Sequence, residues 1–343
     1  MKIIEIDEKY HDLWNEVAAK SSGSFLQSYE WGEFKKSCGH QIWRIAVTET
    51  QLRGSDFTSS FKILAIAFVV KEKVPYLGNY LYVPHGPVFD TVKKEKAFEL
   101  LQRKITEIAK KEQAMFVRFE PKINLDFADN LIHYKASIQA LYTLRVDLSA
   151  NTETLLAGFK KDTRYSIRQA EKKGVKIVKG ESRDVAKFYE LLKLTSERAN
   201  FEIYNLEYYQ KLFDILNKNN LIELYLAKFN NKIIGGAMAI FFGAEATYSH
   251  SAADPNLRNL AVAYPILWSI IKEAKMRDFS KVDLWGVAPE NEINHEWAGF
   301  THFKRGFAPK ESIRAYPGSY FIINNALKFR LYLWQKMLRG KKI

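Results

Sequence analysis

The chain has 343 residues, of which 47% are hydrophobic, 14% aromatic and 27% charged, with a formal charge of +13 at pH 7. That length exceeds what one core ordinarily supports and predicts two domains, and the composition excludes a disordered chain. A lone cysteine, Cys38, excludes an internal disulfide and a cysteine-rich metal centre, and the positive excess points to nucleic acid, an anionic membrane face or a phosphorylated substrate as partner.

Residues 1–20 alternate charged and apolar side chains and lack the apolar run of a signal peptide. No stretch has the length and apolarity of a membrane span. The expectation is a cytoplasmic protein. Residues 2–6 predict a short strand, and residues 7–19 a helix facing inward with Leu13, Trp14 and Val17. A second helix follows over 28–37, capped by Ser28. Strands are expected at 42–48, 63–70 and 80–84, with a polar hairpin loop over 51–60. An amphipathic helix over 91–111 leads to strands at 114–120 and 137–147.

A second cycle then begins. Residues 151–173 read as a helix in two pieces, ended by Gly174 as a C-cap. Residues 175–179 form a strand, and 184–199 and 206–218 helices. Strands at 221–229 and 232–242 flank Asn230 and Asn231, a hairpin signal. Another strand at 246–252 precedes a helix over 261–277, with Leu267, Trp268, Ile271 and Ala274 inward. Strands at 281–285 and 313–323 and a closing helix at 325–338 complete the chain. Both halves run helix, helix, meander, helix, strand, so each reads as one α/β unit with a mostly antiparallel sheet. A dinucleotide-binding fold is disfavoured, because no G-x-G-x-x-G follows an early strand.

Residues 160–179 form a strongly basic stretch, with eight Lys or Arg and two acids. Lys161, Arg164, Arg168, Lys172 and Lys176 recur at three- and four-residue spacing and share one stripe if the segment is helical. Such a stripe suits contacts to a nucleic-acid backbone that are salt-sensitive and independent of sequence; a plain solvated face is the alternative. The C-terminal segment 327–343 carries six basic residues and no acid among bulky apolar ones. It is expected to dock as the terminal helix of the first domain. Contact with an anionic inner membrane leaflet is a second expectation for the same segment.

Five segments resemble one known family: FLQSYEWGEFKKSCG (residues 25–39), YVPHGPVF (82–89), TRYSIRQAEKKGV (163–175), NKIIGGAMAIFFGAEATYSHSAA (231–253) and WAGFTHFKRGFAP (297–309). In order and across almost the whole chain, they look like the FemABX peptidoglycan-bridge peptidyltransferases. The resemblance implies two tandem GNAT-like domains packed across a cleft, residues 1–146 plus 316–343 and residues 147–315. It implies the compact form without a coiled-coil arm, and a monomer as the default. The implied reaction moves an amino acid from aminoacyl-tRNA, the co-substrate, to the side-chain amine of a stem peptide. The acceptor is a UDP-linked or a lipid-linked peptidoglycan precursor. No other cofactor is implied.

Transfer from an activated ester to an amine asks mainly for alignment and for stabilisation of the developing oxyanion. No G-x-S-x-G elbow is present, and His295 and His302, taken to bracket a loop, match no zinc spacing, so no metal site is expected. Lys304, flanked by Phe303 and Phe307, suits a held, partly desolvated cation, and the resemblance places a lysine of this motif in the active cleft. Arg305 is a weaker candidate beside it. The resemblance also implies that Lys35, with Lys36 as runner-up, meets the precursor's phosphates, and that Tyr208 and Tyr248 contact substrate. Two departures stand out. Tyr204 occupies the position where relatives using the UDP-linked precursor carry an arginine, which favours a lipid-linked acceptor. Ala308–Pro309 replaces a Gly–Gly pair. Two alternatives stay open: a GNAT-fold acyltransferase acting on a protein N-terminus or lipid headgroup, and a non-enzymatic RNA-binding module. The usual acetyl-CoA loop is missing before residue 261, which argues against CoA.

Overall fold

The computed structural model describes residues 1–20, 23–53, 58–199, 201–292 and 294–338. The chain forms two compact units, Met1–Leu141 with Tyr316–Ile343, and Tyr142–Ala315.

The first unit opens with β1 (Lys2–Glu5), α1 (His11–Ala18) and α2 (Tyr29–Ser37). Trp14 and Val17 are buried, but Leu13 is 41% exposed, because the inward face centres on Trp14, Val17 and Ala18 and Leu13 lies at its flank. Ser28 caps α2 as expected, its side chain accepting from the Trp31 N–H. Strands β2 (Ile42–Arg53), β3 (Thr58–Val74), β4 (Gly78–Pro84) and β5 (Val88–Phe89) follow, then α3 (Lys94–Lys111), β6 (Phe116–Glu120) and β7 (Ile132–Tyr134). The expected loop over 51–60 is therefore mostly strand, and its tip, 54–57, lies outside the described residues. Helix α3 buries Phe98, Leu101, Ile105 and Ile108 at helical spacing against the sheet, each burial being worth about 1.5–3 kcal/mol.

The chain returns to this unit at its end, through β15 (Ser319–Ile323) and α10 (Ala326–Leu338). The sheet runs β1-β2-β3-β4-β6-β15-β7, with β5 on β3, and is antiparallel except for β4 against β6. Strand β15 thus sits between β6 and β7 rather than at an edge. A buried acid ties this return together. Glu120, 2% exposed, accepts from Tyr82 Oη (2.6 Å), Ile138 N (2.7 Å) and Gln139 N (3.2 Å), and pairs with Arg118 Nε (2.7 Å). Arg118 Nε also reaches Ser319 Oγ on β15 (3.0 Å), and its Nη1 reaches Tyr332 Oη on α10 (3.4 Å). These bonds hold residues 138 and 139 out of any ladder, so the strand expected over 137–147 begins only at Tyr142.

The second unit comprises β8 (Tyr142–Asp147), α4 (Thr152–Gly158), α5 (Lys161–Lys172), β9 (Lys176–Gly180), α6 (Val185–Ala199), α7 (Leu206–Asn217), β10 (Ile222–Phe229), β11 (Lys232–Phe242), β12 (Glu245–Ala253), α8 (Ala263–Met276), β13 (Lys281–Gly286), α9 (Ala298–Arg305) and β14 (Arg314–Ala315). Its sheet runs β14-β8-β13-β12-β11-β10-β9, antiparallel except for β12 against β13. Because β8 pairs with β13 and β14, the division falls before residue 142, not at 146/147. Gly235 and Gly236 mark the two faces of the sheet. A Cβ on Gly235 would meet Val262 and Ile266 beside and within α8, and one on Gly236 would meet Phe188 of α6.

Three further expectations are corrected here. The strand expected over 313–323 is two strands in different sheets, β14 and β15. Gly318 between them sits at φ +104°, and a Cβ there would lie 2.4 Å from Tyr134 O. The loop expected between His295 and His302 contains α9 instead. Helix α5 ends at Lys172 and Gly174 reverses the chain at φ +92°, so Lys176 stands on strand β9 and leaves the helical stripe. No helix of this unit exceeds 15 residues among the described ones.

Candidate functional site

The second unit's sheet opens where β12 and β13 stop pairing. Their parallel ladder runs Glu245↔Lys281, Ala246↔Val282, Thr247↔Asp283 and ends there, although β12 continues to Ala253. Asp283 shapes the divergence. It is 2% exposed, accepts from Trp285 N (2.7 Å) and Thr143 Oγ1, and lies 3.5 Å from Arg145 Nε. With Trp285 at φ +60°, β13 loses register against β8 between Asp283 and Gly286. The Gly286 carbonyl is thereby turned to a side chain: Lys304 Nζ donates to it at 2.6 Å.

Helix α9 delivers that lysine. Phe303 packs edge-on against Tyr264 (5.0 Å) and Phe307 (5.4 Å), and Thr301 Oγ1 accepts from Ala288 N (2.7 Å). These contacts fix the helix on the core while Lys304 points at the strand end. Burial pushes the Lys304 ammonium down to about 8, against the opposing pull of the Asp283 carboxylate. At neutral pH the group is a charged donor, close to losing its proton and bound to one neutral carbonyl. That suits it to meet negative charge that develops during a reaction.

The basic helix α5 abuts the same element. Lys160 N donates to Gly306 O (2.9 Å) at the end of α9. The approach needs glycine, because a Cβ on Gly306 would lie 2.1 Å from Thr163 Oγ1. Lys161, Arg168 and Lys172 are exposed on one face, with Tyr165, 60% exposed, between them. Among the described residues these three cations have no acidic partner. Arg164 differs. Its Nη1 donates to Ala157 O (2.9 Å) and Phe159 O, capping α4. Arg305 is likewise engaged, by Glu290 Oε1 (2.7 Å) and Glu311 O.

Tyr248 faces the α8 side of the sheet, opposite Ala239, and is buried there. Two residues of β11 step from Ala239 to Ala237 while β12 advances from Tyr248 to Ser251, a bulge that brings Ser251 back to the same face. The Tyr248 hydroxyl is pushed up to about 12 by burial and hydrogen bonded to Ser251. The bulge sends His250 the other way, onto the Tyr209 ring of α7 (5.1 Å, edge-on). Burial lowers this imidazole to about 4, so it is neutral at physiological pH. From it a file of rings leads outward: Tyr209 against Tyr208 (5.4 Å), and Tyr208 stacked on Tyr204 at 3.8 Å. The Tyr204 backbone also hydrogen bonds to the Tyr209 hydroxyl. Tyr204 and Tyr208 thus form one stack, whereas Tyr248, the other tyrosine expected to contact substrate, is buried on the opposite face of the sheet. Asp283 and His250 were not foreseen; a bulge and a positive φ leave no periodic trace in sequence.

Lys35 and Lys36 belong to the first unit. Lys35 Nζ is held by Glu72 Oε1 at 3.1 Å, while Lys36 is exposed, with no acidic partner among the described residues. Among the described residues no group of three or more His, Cys, Asp or Glu is arranged to hold a metal ion.

Two successive α/β units, each with one parallel strand pair in an otherwise antiparallel sheet, define a tandem GNAT-like protein. A tandem GNAT protein from the clavulanic acid biosynthesis pathway shares this fold with a TM-score of 0.54 at 10% identity, over 94% of this chain and 98% of that one. Within that class the chain belongs to the FemAB family, matched over residues 6–133, 127–232 and 228–336. The crystal structure of FemX superimposes with a TM-score of 0.81 at 21% identity, covering 96% of this chain and 99% of the other. A lipid II:glycine glycyltransferase of Staphylococcus aureus strain MRSA252 is 30% identical over 249 residues, 68% of this chain. The chain spans little more than half, 56%, of that relative's length.

Proposed function

We propose that this chain transfers an amino acid from aminoacyl-tRNA to the side-chain amine of a lipid-linked peptidoglycan-precursor stem peptide, at the cytoplasmic side of the membrane. The observation that carries the reading is Lys304, a desolvated ammonium presented at the open end of β12 and β13. The neutral amine attacks the ester carbonyl, a C–N bond forms, and the C–O bond to the ribose breaks. One proton passes from the amine to the leaving ribose oxygen. Negative charge builds first on the carbonyl oxygen and then on the ribose oxygen, and an ammonium beside either lowers the barrier. No cofactor beyond the aminoacyl-tRNA is needed.

The relatives' name supports a lipid-linked acceptor and makes glycine the first donor to test. Tyr204, stacked on Tyr208 where a phosphate-gripping arginine is expected for a UDP-linked acceptor, supports the same choice. Lys36 is the phosphate-binding candidate of the first unit, since Lys35 is already neutralised by Glu72. The test offers glycyl-, alanyl- and seryl-tRNA, with acetyl-CoA in a parallel arm, to lipid-linked and UDP-linked precursors, and reads added mass on the stem peptide. Transfer from no charged tRNA overturns the proposal; transfer from acetyl-CoA alone replaces it with the acyltransferase alternative.

For the tRNA we assign the exposed face of α5. Lys161, Arg168 and Lys172 supply backbone contacts, and Tyr165 among them offers a ring for a base. The variant Arg168→Glu with Lys172→Glu is expected to raise KM for aminoacyl-tRNA by about tenfold or more, with kcat little changed. It should also flatten the salt dependence of binding by roughly one unit for each phosphate no longer neutralised. Filter binding across a salt series checks this; an unchanged slope removes α5 from the interface.

A further inference from the structure

Helix α10 has two apolar faces, and the fold uses one. Phe329 and Tyr332 are buried, packing on Phe116 of the first sheet at ring distances of 5.1 and 4.9 Å. On the other side Leu327, Leu331, Trp334 and Leu338 stand four, three and four residues apart, in one line along the helix. They are 70%, 41%, 56% and 65% exposed. Single exposed leucines are ordinary on a protein surface; four bulky residues in a row, one of them tryptophan, are not. At about 100° per residue, Lys328 and Arg330 project to opposite sides of this line. Both are exposed, and neither has an acidic partner among the described residues. No Asp or Glu follows Glu311 in the chain, and residues 339–343 add three more cations.

We propose that this face of α10 rests on the surface of an anionic lipid bilayer. The leucines and Trp334 enter the boundary between headgroups and acyl chains, with Lys328 and Arg330 on the lipid phosphates. An apolar line edged with cations fits that boundary, where tryptophan is also favoured. Nucleic acid would engage the cations and leave the leucines in water. The helix lies on the membrane and does not enter it: among the described residues no helix is long and apolar enough to cross. The inference goes beyond the transfer reading, because it assigns a surface that acts before any acceptor is bound.

The test is co-sedimentation of the full chain with vesicles of phosphatidylcholine alone and of phosphatidylcholine mixed with phosphatidylglycerol, at low and high salt. Binding is expected to the mixed vesicles, weakened by salt, and reduced at least about tenfold in Leu331→Ser with Trp334→Ser. Because both side chains are exposed, the variant should melt at the wild-type temperature. Lys328→Glu with Arg330→Glu should abolish the preference for anionic vesicles. Failure to sediment, equal binding to both vesicle types, or undiminished binding by the serine variant overturns the proposal. So does a concentration-dependent dimer that the serine variant loses, which would assign the face to a second copy of the chain. The assay contains neither tRNA nor precursor, so its outcome and that of the transfer assay are independent.

Discussion

Replacing Lys304 with methionine is expected to lower kcat for aminoacyl transfer by about 10²–10³-fold, the usual loss when one preorganised oxyanion donor is removed. Folding should not suffer. Burial holds the Lys304 ammonium at about 8 in the folded chain, below its ordinary value of 10.5. Between those two values the unfolded chain binds more protons than the folded one, so stability rises with pH across that window. Below about pH 8 the charge is carried in the folded state at a cost. Methionine keeps the length of the stem and removes that cost, so the melting temperature is expected to stay level or increase. In the wild type, where the charged form is the one that acts, kcat should fall as pH rises through about 8. A methionine variant with wild-type kcat would show that the ammonium is ornamental to the chemistry. One that is inactive but also markedly less stable would show a structural role.

The second large effect is on stability. Glu120→Ala is expected to cost about 3–5 kcal/mol, because it leaves Arg118 charged, buried and without its carboxylate. It also strands the Ile138 and Gln139 N–H groups and the Tyr82 hydroxyl. The melting transition of the first unit should drop by roughly 10 °C. Glu120→Gln keeps one carbonyl acceptor but turns an amide N–H₂ toward other donors, so it should fall between alanine and wild type. Urea unfolding of the three proteins measures the series. An alanine variant within about 0.5 kcal/mol of wild type would mean that Arg118 finds another partner.

Much of the architecture was legible because local rules and tertiary demands agree. Ser28 caps the helix it was expected to cap, and Gly174 reverses the chain where a helix must end. Asn230 and Asn231 adopt φ of +48° and +61° in the expected turn. The misses have a common cause. Helix α9 is eight residues with glycine and threonine inside, too short for periodicity, and it exists because Phe303 and Phe307 pack on Tyr264. Strands β14 and β15 are near-contiguous in sequence yet belong to different sheets. At the site, the FKRG segment marked Lys304, but Asp283 and His250 act through a distorted strand and a bulge. Sequence spacing counts cations without showing which carbonyl or carboxylate already holds them. That is why Arg164, Arg305 and Lys35 read like their free neighbours Lys161, Arg168 and Lys36.

The placement of β15 inside the first sheet has a consequence for how the two units fold. Residues 142–315 contain every strand of the second sheet, whereas residues 1–141 by themselves lack an interior strand and the serine that Arg118 grips. The second unit is therefore expected to fold without β15, while residues 1–141 alone keep an open gap between β6 and β7. A chain truncated after residue 315 should still yield a protease-resistant fragment from residue 142 onward, with the N-terminal portion digested.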